Sequence, residues 1–214
     1  MLAASALTVP ALAIAGAAPA AAACGDPDSY SGGTGTSSDP YIIAGTDDLT
    51  ELKDTSGDWG CAFRQVADVT YPPGEQWTTS IGIYSTTTPF SGTYDGGGFT
   101  VSGLAIGGSD LSDVGLFGYV FAGELINVHF DGSVVGTNSV GGLVGTAELT
   151  EITDSSSSGS VQGSEDYVGG LVGYADVVIV NDSESSATVS VPQQDADGSV
   201  GGLIGYALNV SIAD

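Results

Sequence analysis

Val140-Gly141-Gly142-Leu143-Val144-Gly145-Thr146 decides the reading of this chain, because close copies of it return along the sequence. They are Val114-Gly115-Leu116-Phe117-Gly118-Tyr119, Val168-Gly169-Gly170-Leu171-Val172-Gly173-Tyr174 and Val200-Gly201-Gly202-Leu203-Ile204-Gly205-Tyr206. The leucines stand 27, 28 and 32 residues apart. Self-similarity at a nearly fixed period is the signature of a repeat architecture.

The likeness extends beyond the glycine core. About nine residues after each leucine comes an aliphatic position, read as Ile126, Ile152, Val180 and Ile212. Further on comes a small-residue step ending in valine: Gly132-Ser133-Val134, Gly159-Ser160-Val161 and Ala187-Thr188-Val189. Each unit therefore holds three short apolar stretches joined by Gly, Ser, Asn and Asp, which is the pattern of strands and turns. Glycine at this density would cost a helix about 1 kcal/mol per position relative to alanine, which excludes helical repeats. The expected fold class is all-β, a parallel β-solenoid (β-helix) of glycine-rich repeats with a small N-terminal capping element. Each coil's Leu, Val and Ile would meet their counterparts above and below.

Length variation is confined to one connection. Val134 to Val140, Val161 to Val168 and Val189 to Val200 lengthen in turn, so insertions should line one edge of the solenoid. That edge carries Thr137 and Asn138, then Ser164, Glu165 and Asp166, then Gln193, Gln194, Asp195 and Asp197. Glu165, Asp166, Asp195 and Asp197 are the candidate ligand or calcium-binding residues.

The glycine core, with the stretches upstream of it, resembles the GLUG-motif repeat proteins, a group of bacterial exported and surface proteins. Pro89-Phe90-Ser91-Gly92-Thr93-Tyr94-Asp95-Gly96-Gly97-Gly98-Phe99-Thr100-Val101-Ser102-Gly103-Leu104-Ala105-Ile106 is similar to the segment that leads into such repeats. Gly35-Thr36-Ser37-Ser38-Asp39-Pro40-Tyr41-Ile42-Ile43 is similar to their N-terminal start. The resemblance implies a repeat region found in adhesins and beside peptidase domains such as those of immunoglobulin A peptidases, and it brings no catalytic residues. Thr146 replaces the tyrosine that follows the core in the other repeats.

Four regions are expected. Residues 1–23 form an alanine-rich apolar run without charge, ending in Ala21-Ala22-Ala23, which reads as a signal peptide; a membrane span is the alternative, disfavoured by Pro10 and Pro19. Residues 24–70 form an N-terminal cap, in which Pro40 to Ala44 is a strand and Thr46 caps a short helix carrying Asp47, Asp48, Leu49 and Leu52. Residues 71–113 form the first coils and 114–214 the GLUG-like repeats, the last of which stops partway through a unit. A secreted or cell-surface location follows from the leader. Cys24 and Cys61 read as one disulfide clamping the cap, with lipid modification of Cys24 as the alternative.

Composition narrows the function. Two basic residues stand against 26 acidic ones, a net charge of −24, and Lys53 and Arg64 are the only bases. Such a chain repels nucleic acid and anionic lipid, so neither nucleic-acid binding nor membrane insertion of the mature chain is expected. It attracts cations, and weak calcium binding without a dedicated site is expected because no EF-hand or nonapeptide calcium spacing occurs. No other cofactor is implied. His129, in Asn127-Val128-His129-Phe130, is the only histidine and reads as a strand-face residue rather than a base. Asp110 with Asp113, or Glu165 with Asp166, could be offered as glycosidase pairs, but each reads better as a solvated turn. Ice binding would want threonines in register on successive coils, whereas Thr78-Thr79 and Thr86-Thr87-Thr88 lie in loops. The expectation is a non-enzymatic structural or adhesive repeat domain with a glycan or extracellular protein as ligand. A carbohydrate-active β-helix, or the stalk of a larger peptidase, is the alternative.

Overall fold

One turn of the chain explains the rest. Val140–Gly141 forms a strand of a short sheet A, Val144–Glu148 a strand of sheet B, Glu151–Thr153 of sheet C, and Ser156–Gly163 of sheet D. The next turn repeats the order with Val168–Gly169, Val172–Asp176, Ile179–Asn181 and the pair Glu184–Ser185 and Thr188–Ser190. The computed structural model describes residues 24–25, 27–84, 88–192 and 198–213. Every named strand pairs in parallel with its counterpart on the neighbouring turn, giving a mostly β, parallel β-solenoid of about five turns with one short N-terminal helix. The glycine core thus splits between two sheets, so a unit has four strand segments where the sequence suggested three.

The inner column of sheet C shows how the core is filled. Its register runs Tyr41, Phe63, Tyr94, Leu125, Ile152, Val180 and Ile212. The residue from the first repeat is Leu125, fully buried, and not Ile126, which points to the outer side. The spacing from each core leucine is therefore a constant nine residues, and a slip of one would turn the wrong face inward. The interior tapers. Aromatic rings fill the turns up to Phe130, whereas Val144, Ala147, Ile152, Val172 and Ala175 fill the later ones.

Three corners turn the chain, and each reuses a left-handed residue. Asp113, Ser139 and Tyr167 occupy the corner before sheet A, Ala122, Leu149, Val177 and Asn209 the corner after sheet B, and Asn127, Asp154 and Asp182 the corner after sheet C, all with φ between 46° and 62°. Asn and Asp tolerate this conformation and a β-branched Val177 does not. Parallel stacking holds it there, since Leu149 N–H donates to the Asp176 carbonyl and Val177 N–H to the Leu208 carbonyl, at 3.1 and 3.0 Å. Buried hydroxyls complete the corner after sheet C. Ser155 Oγ donates to the Thr153 carbonyl at 2.9 Å and accepts from Val128 N–H at 3.1 Å, and Ser183 makes the same pair of bonds one turn later.

The last glycine of each core lies where the chain passes close beneath a corner. A Cβ on Gly173 would stand 2.5 Å from Ser139 C and Val140 N, and one on Gly205 would stand 2.6 Å from Val168 N. No side chain fits in that gap.

At the N-terminal end, strand pairing already begins at Tyr41–Ile43, inside the stretch read as a cap. The helix α1, Thr46–Asp54, buries Leu49 and Leu52 completely, and Tyr71 Oη donates to the Thr46 carbonyl at 3.2 Å. Thr46 is the first helical residue and Gly45 is the cap position, with no side-chain cap bond. Asp48, in the first turn, instead ties down the segments that lead into the helix, taking Ala44 N–H at 2.8 Å and Ser31 N–H at 2.9 Å. The expected threonine cap is therefore not formed: Thr46 already lies inside the helix and the cap position falls on a glycine. Cys24 and Cys61 are joined as a disulfide, with Cα atoms 5.9 Å apart. Among the described residues no helix is long and apolar enough to cross a membrane.

Candidate functional site

The insertion edge is a real corner of the solenoid, lying between sheets D and A. Thr137 N–H donates to the Leu111 carbonyl at 2.7 Å, Glu165 N–H to the Thr137 carbonyl at 2.9 Å, and Ser139 N–H to the Asp166 carbonyl at 3.1 Å. Backbone bonding is thus satisfied from turn to turn, which leaves the exposed Glu165 and half-exposed Asp166 side chains available to solvent. Asp195 and Asp197, with Gln193 and Gln194, lie outside the described residues, as does the apolar segment 1–23.

Beside this corner, the outer face of sheet B carries a feature the sequence reading passed over. Tyr119, Thr146, Tyr174 and Tyr206 form one register column, and Phe121, Glu148, Asp176 and Leu208 the next. Tyr167, from the corner itself, leans onto Tyr174 and Tyr206 with ring centroids 5.5 and 4.9 Å away. Tyr174 and Tyr206 are nearly parallel at 5.5 Å. At the other end Tyr84, 66% exposed, sits 5.0 Å from Tyr119. The signal that could have found this group was present: tyrosine follows the glycine core in three of four repeats.

Carboxylates are woven into the same face. Tyr119 Oη donates to Glu148 Oε2 at 3.2 Å, and Asn209 Nδ2 donates to Asp176 Oδ1 at 3.2 Å. Burial first, then the Glu148 charge, pushes the Tyr119 phenol well above its ordinary range, and burial with Asp176 and Glu148 raises Tyr174. These phenols stay protonated, and that of Tyr119 donates.

Asp113, on the corner before sheet A, has a displaced titration. It lines a cleft of about 230 Å³ with Thr78, Ser80, Tyr84 and Ser112. Burial raises its pKa, against the opposing bonds from Thr146 and Ser139; Thr146 Oγ1 donates to Asp113 Oδ1 at 2.5 Å. A raised folded-state pKa means that this residue's contribution to stability is fully present below the unfolded carboxylate value and is lost as pH rises through the folded one. Asp113→Asn keeps the acceptor and the left-handed backbone, so the variant should melt above the wild type near pH ~7, with the gap closing by pH ~4. Parallel melting curves across that range check it, and a gap independent of pH would refute it.

Other candidate groups do not converge. His129 Nδ1 lies 2.8 Å from Ser156 Oγ, and the register continues from Ser156 to Glu184. The hydroxyl therefore stands between base and acid, the reverse of the order in which an acid orients the base. Among the described residues no group of three or more His, Cys, Asp or Glu side chains is placed to hold a metal ion. Both bases are already beside acids, Lys53 with Asp54 and Arg64 with Asp95.

Repeat, register and corner together define a parallel β-solenoid of glycine-rich units. Residues 136–162, which make up most of one turn, match the family model described as the GLUG motif. Two relatives are similar over part of the chain. Halomucin of Haloquadratum walsbyi is 32% identical across 58% of this chain and 2% of its own length. A protein of Evansella cellulosilytica, provisionally named a Gly-rich membrane protein, is 28% identical across 56% of this chain and 14% of its own. The chain thus spans a small fraction of either relative. Among solved structures, a provisionally assigned immunoglobulin A1 protease from Bacteroides ovatus superposes with a TM-score of 0.45 at 16% identity, over 86% of this chain and 78% of that one.

Proposed function

We propose that the chain is a non-catalytic display solenoid of a secreted or cell-surface protein, presenting a ligand-binding edge along the corner where its repeats vary. The observation that carries this reading is the asymmetry of the turn. Sheets A, B and C hold strict register from one repeat to the next, while the D-to-A connection lengthens at each repeat. A scaffold that fixes its faces and frees one corner keeps a contact edge in place on a rigid rod. The Cys24–Cys61 bridge agrees with an oxidising compartment outside the cytosol. The name of the Evansella relative places that protein at a membrane, which agrees with a position in the cell envelope. The net charge of −24 favours basic or neutral ligands, and calcium binding on this reading is weak and spread over many carboxylates.

The test is an array of neutral glycans and extracellular-matrix proteins, probed with the full chain in the presence and absence of millimolar calcium. Binding without turnover is expected, weakened about tenfold or more in a Glu165→Gln/Asp166→Asn variant. Half-buried Asp113 in its cleft favours one competing reading, hydrolysis of a neutral glycan. Product release from any glycan on the array, abolished in Asp113→Asn, would replace the display reading with that one.

A further inference from the structure

The nine tyrosines of the chain fall into two sets by the side of the coil they occupy. Tyr30, Tyr41, Tyr71 and Tyr94 are buried in the core. Later in the chain, Tyr174 and Tyr206 lie half-exposed on the outer side of sheet B, Tyr167 leans onto them from the corner, and Tyr119, itself only 7% exposed, lies on the same side beneath the exposed Tyr84. A solenoid of this kind does not need them for packing, because Val120, Ala147 and Ala175 fill the inner side of the same strands. The rings form two groups. Tyr84, Tyr119 and Phe121 stand at one end, and Tyr167, Tyr174 and Tyr206 at the other, with Thr146 on the turn between.

We propose that this face is a platform for a neutral, extended polysaccharide running along the solenoid axis, with the tyrosines supplying contact surface and Glu148 and Asp176 accepting sugar hydroxyls. The proposal deepens the display reading above and rests on it. Tyrosine offers apolar ring and hydroxyl together at little loss of rotamer freedom, which suits a ligand whose units alternate C–H surface with hydroxyls. Successive turns rise by about 4.8 Å, close to the rise of one pyranose unit in an extended chain, so each turn meets an equivalent part of the ligand. Tyr119 and Tyr174 are two turns apart, and a ligand bridging both ring groups spans several sugars.

Charge decides the class of sugar. No Lys or Arg follows Arg64, so an acidic polysaccharide would meet only carboxylates. Glu148 and Asp176 are each oriented by a donor, Tyr119 Oη and Asn209 Nδ2, which leaves oxygen lone pairs to accept hydroxyls. A basic peptide would be drawn to any of the acids along the chain, whereas this face sets exposed rings and carboxylates side by side.

Native electrophoresis of the full chain through gels containing hydroxyethyl cellulose or galactomannan, with calorimetry on a cello-oligosaccharide, tests the assignment. Retardation of the wild type is expected, unchanged by added sodium chloride. Tyr174→Ala and Tyr206→Ala should weaken binding about tenfold each, and Tyr174→Phe by less. Both tyrosines are half-exposed, so melting temperatures close to wild type will show that the variants fold. The platform is overturned if no polysaccharide retards the chain, if both alanine variants bind as the wild type does, or if salt abolishes binding, which points to ionic capture. Binding lost in Glu165→Gln/Asp166→Asn and kept in Tyr174→Ala overturns the platform and leaves the display reading standing.

Discussion

Gly173→Ala should destabilise the solenoid on the order of 3 kcal/mol, an effect at the upper end for a single added methyl group. The methyl would enter a space already bounded by backbone, with Ser139 C and Val140 N 2.5 Å away and the Gly145 carbonyl oxygen at 2.7 Å. None of those atoms is the free end of a side chain. Relief requires the turn carrying Gly173 to separate from the one before it, which breaks parallel pairing in sheets A and B together. Gly202→Ala is the matched control, since nothing lies within 4 Å of its added Cβ, and its effect should stay within about 0.5 kcal/mol. Urea denaturation of the two variants decides the matter; equal midpoints would show that close approach is not why this glycine recurs.

Loss of the Cys24–Cys61 bridge is expected to be larger still. Its ends are 37 residues apart, and closing a loop of that size in the unfolded chain corresponds to about 4 kcal/mol in the chain-entropy account. The loop encloses α1 and the first strand of sheet C. It also encloses Tyr30 and Tyr41, whose rings stack at 4.3 Å. Paired Cys24→Ser and Cys61→Ser substitutions should therefore lower the melting temperature, with hydrogen exchange accelerating first in residues 27–65 and later in sheets A and B. A melting curve indifferent to reductant and to both substitutions would remove the bridge from the account of stability.

What the sequence conveyed, it conveyed through repetition. Leu143, Leu171 and Leu203 set the period, and the valines at 134, 161 and 189 do fall in one register, buried at the first two and partly buried at the third, so the solenoid was legible from spacing alone. Ile126 was misplaced because an approximate spacing cannot tell the two faces of a three-residue strand apart, and only the pairing of Leu125 with Ile152 settles which side is inward. The glycine core hid its own bend, since Gly142 and Leu143 continue an apolar run while the chain turns from sheet A to sheet B. The tyrosine face was harder to see. Tyr167 is a corner residue whose counterparts in the preceding repeats are Asp113 and Ser139, and it meets Tyr206 across 39 positions of sequence only through the stacking of turns. The acidic edge was legible as a location, because insertions collect where the ladder tolerates them. Its chemistry rests on the side chains of Glu165 and Asp166, which face solvent.

The taper of the interior gives the rod a direction under load. Rings of Tyr41, Phe63, Tyr94 and Phe117 interlock near the helix and the disulfide, whereas the far turns close on valine and alanine. Tension applied from the far end meets the least resistance first and peels the turns singly. Each turn from Val144 to Val172 pays out 28 residues, on the order of 90 Å of extended chain. On this account the bridged end is the last to yield, so a pulled molecule lengthens in steps while its disulfide-closed portion stays folded.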